Sequence, residues 1–185
     1  MSLSGEVAAS TERQLLQSVV RVARHAFGAA ASSIFLVDTG TRELVFEAVS
    51  GKGDDTLVGS RFPAGTGIAG WVAASGQSML IDDLRESEHF SGPAAASTGY
   101  VPDSIMAAPL FSDDRCIGVL EVLDRGADGV REMADVALLD LLADQAALSL
   151  ELLTRLRSAA PPDVRSDKAL RLLTMTESLL ADVRD

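Results

Sequence analysis

Four short apolar runs, set out as two pairs, constrain this chain more than any other feature. The first pair is SSIFLVD (32–38) and ELVFEAVS (43–50), separated by TGTR. The second is SIMAAPLF (104–111) and CIGVLEVLD (116–124), separated by SDDR. Each run is short, apolar and bounded by turn formers, which is the pattern of strands joined in hairpins. Neighbours joined by tight turns are antiparallel, whereas a parallel pair needs a crossover of a dozen or more residues. The expectation is a mostly antiparallel sheet, with Pro109 at a strand end or an edge position.

Helical patterns flank the hairpins. Thr11 and Gln14 have the spacing of a capping box; Leu15, Leu16, Val19, Val20, Val22, Ala23 and Phe27 recur at helical intervals, and Gly28 stops the pattern. Ile68 to Gly76 reads as a short helix and SMLIDD as a short strand. Leu84 to Asp103 is a long, weakly periodic loop with room for a helical turn in PAAAS; a loop of that length in a small domain is functional or mobile. Val130 to Ser158 is apolar around most of its circumference, so it requires two partners: its own sheet and a second subunit. AAPPD breaks it, and Asp167 to Val183 offers another amphipathic helix. The order α-ββ-α-β-loop-ββ-α, with segregated helices, is that of an α+β domain. The expected division is a disordered or cloning-derived 1–10, a domain over 11–158, and a Pro-broken linker with a C-terminal helix over 159–185.

The net charge of −11 and the lack of any basic run argue against holding a nucleic-acid backbone or an anionic membrane surface. A single cysteine, Cys116, allows no disulfide within the chain. The N-terminal residues lack the basic and apolar regions of a secretory signal, and no apolar run approaches a membrane span, so a cytoplasmic location is expected.

GTGIAG (65–70) has the G-x-G-x-x-G spacing of a dinucleotide-binding turn, and Asp82 and Asp83 follow at a suitable distance. That reading needs a buried strand before the glycines and a long helix after them. LVGSRFPA is no such strand, and the helix is cut short at Gly76. The glycines are read instead as a tight turn dropping the chain into a close-packed helix and bringing that helix, from Ile68, close against the antiparallel sheet.

RFPAGTGIAGWVAASGQSMLIDDL, followed by SIMAAPLFSDDRCIGVLEVLD, resembles the GAF domain family over about Thr11 to Ser158. The resemblance implies a central antiparallel sheet with the first and last helices on one face and a small-molecule pocket on the other, as in the similar PAS domains. It implies a sensory or regulatory module rather than an enzyme. By likeness to members that bind cyclic nucleotides, Ile68 and Ala69 would lie against the base, Thr98 of STGY would touch the nucleotide, and Glu121 would accept from a purine N–H. Tyr100 and Met106 are further candidates, for the pocket or the sheet face, as is Phe90. An Asp expected before STGY is alanine here, around Ala95, and a Thr after it is Pro102. Asp124-Arg125 stands for an Asn-Lys signature, and Arg125 would pair with Asp135. Bilin attachment needs a cysteine in the loop region, haem a histidine such as His89, and methionine sulfoxide reduction several cysteines; none of the three fits well. Trp71 is expected in the core, and Asp82 and Asp83 as caps of the turn at Leu84. The expected function is small-molecule sensing, with ligand binding altering helix packing in a homodimer joined through its terminal helices and so controlling an effector domain or partner. The alternatives are a ligand-free dimerisation scaffold and, less favoured, a cyclic-nucleotide-binding domain.

Overall fold

A computed structural model describes residues 3–52, 57–126 and 132–159. The chain divides into two units, Met1–Leu153 and Thr154–Asp185. Of the second, only the end of a helix is described; the helix expected over Asp167 to Val183 lies outside the described residues.

The first unit runs α1 (Leu3–Ala26), β1 (Ala31–Val37), β2 (Leu44–Gly51), β3 (Arg61–Phe62), α2 (Gly67–Ser75), β4 (Met79–Ile81), α3 (Gly92–Ser97), β5 (Ile105–Ser112), β6 (Arg115–Leu123) and α4 (Glu132–Ala159), which continues into the second unit. The six strands form one sheet in the order β3-β2-β1-β6-β5-β4, and every neighbouring pair is antiparallel. Both predicted hairpins are present. The β1–β2 register slips at Ile34/Phe35, leaving Glu47 as the extra residue; the β5–β6 register slips at Leu110/Phe111.

Period-two alternation sorts the sheet into two faces. On one, Ile34, Ala48, Met106, Leu110, Leu120 and Val122 pack with Leu16, Val20 and Ala23 of α1 and Leu139, Ala143, Ala146 and Leu150 of α4. On the other, Phe35, Phe46, Val49, Ile105, Ala107 and Val119 pack with Ile68, Ala69 and Val72 of α2 and with Leu84. β1 and β6 are central and covered on both faces, which explains their nearly continuous apolar runs.

Three details differ from expectation. α1 begins at Leu3, not Thr11; Glu6, Ala8 and Ala9 are good helix formers and favour the upstream extension. β3 and a single 3-10 turn at Leu84–Glu86 carry too few residues for any periodicity to register. Pro109 sits within β5 opposite Val119, but β4 reaches only from Ile105 to Ala107, so at Pro109 the other side of β5 is an open edge that needs no N–H. Among the described residues, no helix is long and apolar enough to cross a membrane.

Candidate functional site

The glycine turn builds one wall of the site. Gly65 and Gly67 have φ of 77° and 64°, in the left-handed region that a side chain disfavours. Gly70 meets the turn itself: a Cβ there would lie 2.3 Å from the carbonyl carbon of Gly65. The close approach is thus between the helix and its own entry turn, while Ile68, Ala69 and Val72 make the contact with the sheet. This corrects the expectation that the glycines themselves bring α2 against the strands. Gly76, in the left-handed conformation, closes α2 by donating to the Val72 carbonyl.

Between α2, the 3-10 turn, α3 and the apolar sheet face is a cavity of about 790 Å³, counting its open mouth. The strand register orders its floor. Phe35 and its β2 partner Phe46 form one end, joined by Phe62; the ring centroids are 4.0 Å apart for Phe35–Phe46 and 5.6 Å for Phe46–Phe62. Ser33 and its β6 partner Glu121 lie in the middle. Ala31 and Leu123 mark the other end, where Lys52 holds its ammonium 5.0 Å from the centre of the Tyr100 ring.

Glu121 is the chemically conspicuous residue. It is 7% exposed, and its neighbours on the same side of β6, Val119 and Leu123, are apolar. The Ser33 hydroxyl donates to its carboxyl over 3.4 Å, while Ser32 Oγ donates to its backbone carbonyl at 2.8 Å. Burial pushes the carboxyl up to about 7, against the smaller opposing effect of Ser33.

The roof is tethered to the frame through Asp124. The Tyr100 hydroxyl donates to the Asp124 carboxylate, whose other oxygen accepts the amides of Asp103 (2.8 Å) and Ser104 (2.9 Å). Next to it, Arg125 pairs with Asp135 of α4 at 2.7 Å and with Asp82 after β4 at 3.3 Å. Gly126 donates to the carbonyl of Phe27 at the end of α1. Three successive residues therefore join the cavity roof, the last strand and both long helices.

Five of the six candidate residues, Ile68, Ala69, Thr98, Tyr100 and Glu121, lie on the cavity wall, as does Phe90. Met106 does not: it belongs to the core beneath α1 and α4, because Ile105 and Ala107 take the cavity side of β5. Thr98 spends its hydroxyl proton within the roof, 2.7 Å from the Ala95 carbonyl and 3.1 Å from that of Tyr100, so only its lone pairs face a ligand. Trp71 is half-buried and stacks on His89, with centroids 5.1 Å apart. Asp83 caps the 3-10 turn by accepting from the Arg85 amide, whereas Asp82 serves Arg125. Cys116 is partly buried outside the cavity lining, and burial raises its thiol. Ser33, Lys52 and the three phenylalanines were not singled out by sequence; the alternation of β1 and β2 would have placed Ser33, Phe35 and Phe46 on one face.

The GAF domain model matches residues 11–150. The chain is 28% identical over 141 residues to a probable 3′,5′-cyclic phosphodiesterase, pde-5, of Caenorhabditis elegans, covering 71% of this chain and 19% of that protein. It is 28% identical over 174 residues to the Nif-specific regulatory protein of Klebsiella oxytoca, covering 92% and 33%. The chain thus spans a third or less of each of these relatives. Among solved structures, free methionine-R-sulfoxide reductase from Neisseria meningitidis is 30% identical, with a TM-score of 0.63 over 76% of this chain and 78% of that one. The GAF domain of a phosphoenolpyruvate-protein phosphotransferase from Coxiella burnetii shares the fold at 22% identity, with a TM-score of 0.69 over 80% and 86%. By the family match, the motif order and the six-stranded antiparallel sheet, this chain belongs to the GAF domain family.

Proposed function

We propose that this chain is a regulatory domain that senses a small molecule in the cytoplasm and passes the signal through helix packing to an output domain or partner. The observation that carries this reading is the half-open cavity over the sheet, with a buried carboxyl in its floor and a roof tied through Asp124 and Arg125 to α4. A ligand that reorders Tyr100 disturbs Asp124, and the neighbouring Arg125 anchors the first turn of α4. Such a switch works only as far as the ligand prefers one of the two states.

The output surface is α4. Leu139, Ala143, Ala146 and Leu150 are buried, while Leu138, Leu141, Leu148 and Leu152 are 41%, 64%, 61% and 61% exposed. Together with Gln145, the exposed leucines follow a three–four spacing, the seam of a coiled coil with one polar position. That periodicity favours a second copy of the same helix, and hence a homodimer.

The reading is non-enzymatic. Thiol-based reduction needs a cysteine at the cavity, and Cys116 is outside the cavity lining. A cyclic nucleotide remains a second reading, favoured by Glu121 as an acceptor for a base and by the start of α2 in the cavity wall. A thermal-shift screen with cyclic nucleotides, amino acids, haem and small metabolites tests both. A true ligand stabilises by RT ln(1 + [L]/Kd), and a chain that no compound stabilises is a ligand-free scaffold.

A further inference from the structure

Three observations bear on what the cavity selects. First, Glu121 lies more than nine-tenths buried in the floor, with one hydrogen bond on its carboxyl among the described residues, at 3.4 Å from Ser33. An ionised carboxyl has about four acceptor positions. Leaving most of them without donors in an apolar site is costly, and nothing in the fold requires an acid between Val119 and Leu123. Second, Phe35 is the next residue after Ser33 on the same face of β1, and with Phe46 and Phe62 it forms an aromatic end wall. Aromatic faces attract cations. Third, the one cationic side chain among the described lining residues, Lys52, is exposed at the opposite end and sits over the Tyr100 ring. The middle and the phenylalanine end therefore hold no side-chain cation to receive an anion. The chain's net charge of −11 draws cations toward it in the same sense.

Resting on the sensory reading of this cavity, we propose that it takes an organic cation: an apolar, aromatic-bodied molecule whose amine or amidine pairs with Glu121 and Ser33. The ring system of such a ligand packs on Phe35, Phe46 and Phe62. Its N–H donors fill the acceptor positions that the protein leaves open.

Proton balance gives a signature. The other ionisable groups on the described lining are Lys52 and Tyr100, both at the far end. With its carboxyl raised to about 7, Glu121 is largely protonated in the empty cavity below that pH. An ammonium ligand requires the carboxylate, so its entry releases one proton from Glu121. Affinity for an ammonium then rises with pH up to about 7, approaching tenfold per pH unit on the acid side, and levels off above. A ligand that accepts from the protonated acid shows the opposite slope.

The test uses the full chain, calorimetric titration and thermal shift, with four probes: 2-phenylethylammonium, 2-phenylethanol, 3-phenylpropionate and 3′,5′-cyclic GMP. The expected result is binding of the ammonium at least about tenfold tighter than of the alcohol, no binding of the propionate, and a rise with pH. Glu121→Gln keeps the shape, removes the charge, and is expected to abolish both the preference and the pH slope. Equal binding of the alcohol, tighter binding of either anion, or a flat wild-type pH profile overturns the organic-cation class while leaving a sensory cavity in place. If none of the four probes raises the melting temperature at any pH, the organic-cation class fails, while the sensory reading stands or falls by the wider thermal-shift screen.

Discussion

The Tyr100 hydroxyl donates to the Asp124 carboxylate, so the roof of the cavity is fastened to the residue that precedes the α4 anchor. Burial first, then the hydrogen bond to Asp124, pushes the Tyr100 phenol up to about 12, so it remains a donor throughout the physiological range. Tyr100→Phe removes the tether and little else. The expected outcome is faster amide exchange over residues 92–100, with a loss of global stability of about 1 kcal/mol. Unchanged exchange there would show that the tether does not restrain the roof.

Glu121 makes stability depend on pH in a defined direction. Its folded carboxyl titrates near 7, above the ordinary 4.5, so the folded chain holds this proton more tightly than the unfolded chain does. Stability from this residue is full below pH about 4.5, falls as pH rises through about 7, and is flat above, a span of roughly 3 kcal/mol. Glu121→Gln removes the slope. Urea midpoints from acid to neutral pH should show the variant gaining on the wild type as pH rises; parallel profiles would rule the effect out.

The glycine turn separates two kinds of glycine requirement. Gly65→Ala meets no atom within 4 Å but must hold a φ of 77°, costing about 1 kcal/mol. Gly70→Ala drives a methyl into the Gly65 backbone at 2.3 Å, costing about 3 kcal/mol or more, because backbone cannot yield as a side-chain tip can. Chemical denaturation of the two variants checks the ranking, and the reverse order would contradict the geometry.

Self-association through α4 has its own test. Leu141→Lys with Leu148→Lys alters residues that are 64% and 61% exposed in the single chain, so the fold should tolerate both. Light scattering at micromolar concentration should show a dimer for the wild type and a monomer for the double variant. A wild-type monomer would remove the coiled-coil relay.

What the sequence could reveal followed from periodicity. Both hairpins and the burial of one face of α4 against the sheet were legible because their patterns run over enough residues to fix a period. The lone acid in GVLEVL, Glu121, was a candidate through the family resemblance rather than through periodicity. The phase of β5 was not legible. IMAAPLF is apolar on both faces, so alternation cannot say whether Met106 or Ile105 faces the cavity, and the prediction for Met106 went to the wrong side. Lys52 and Arg61 escaped notice for a different reason. Their roles are set by partners distant in sequence, the Tyr100 ring for one and the carboxylates of Asp38 and Glu43 for the other.

The sheet's outermost strands are also its shortest, two residues in β3 and three in β4. Beyond them, Pro109 interrupts the donors on the open side of β5. Short outer strands and a proline on an open side are devices that blunt edge-to-edge pairing. Strand-to-strand joining of copies is thereby discouraged, so the pairing proposed through α4 would be one that closes on itself rather than growing into a fibre.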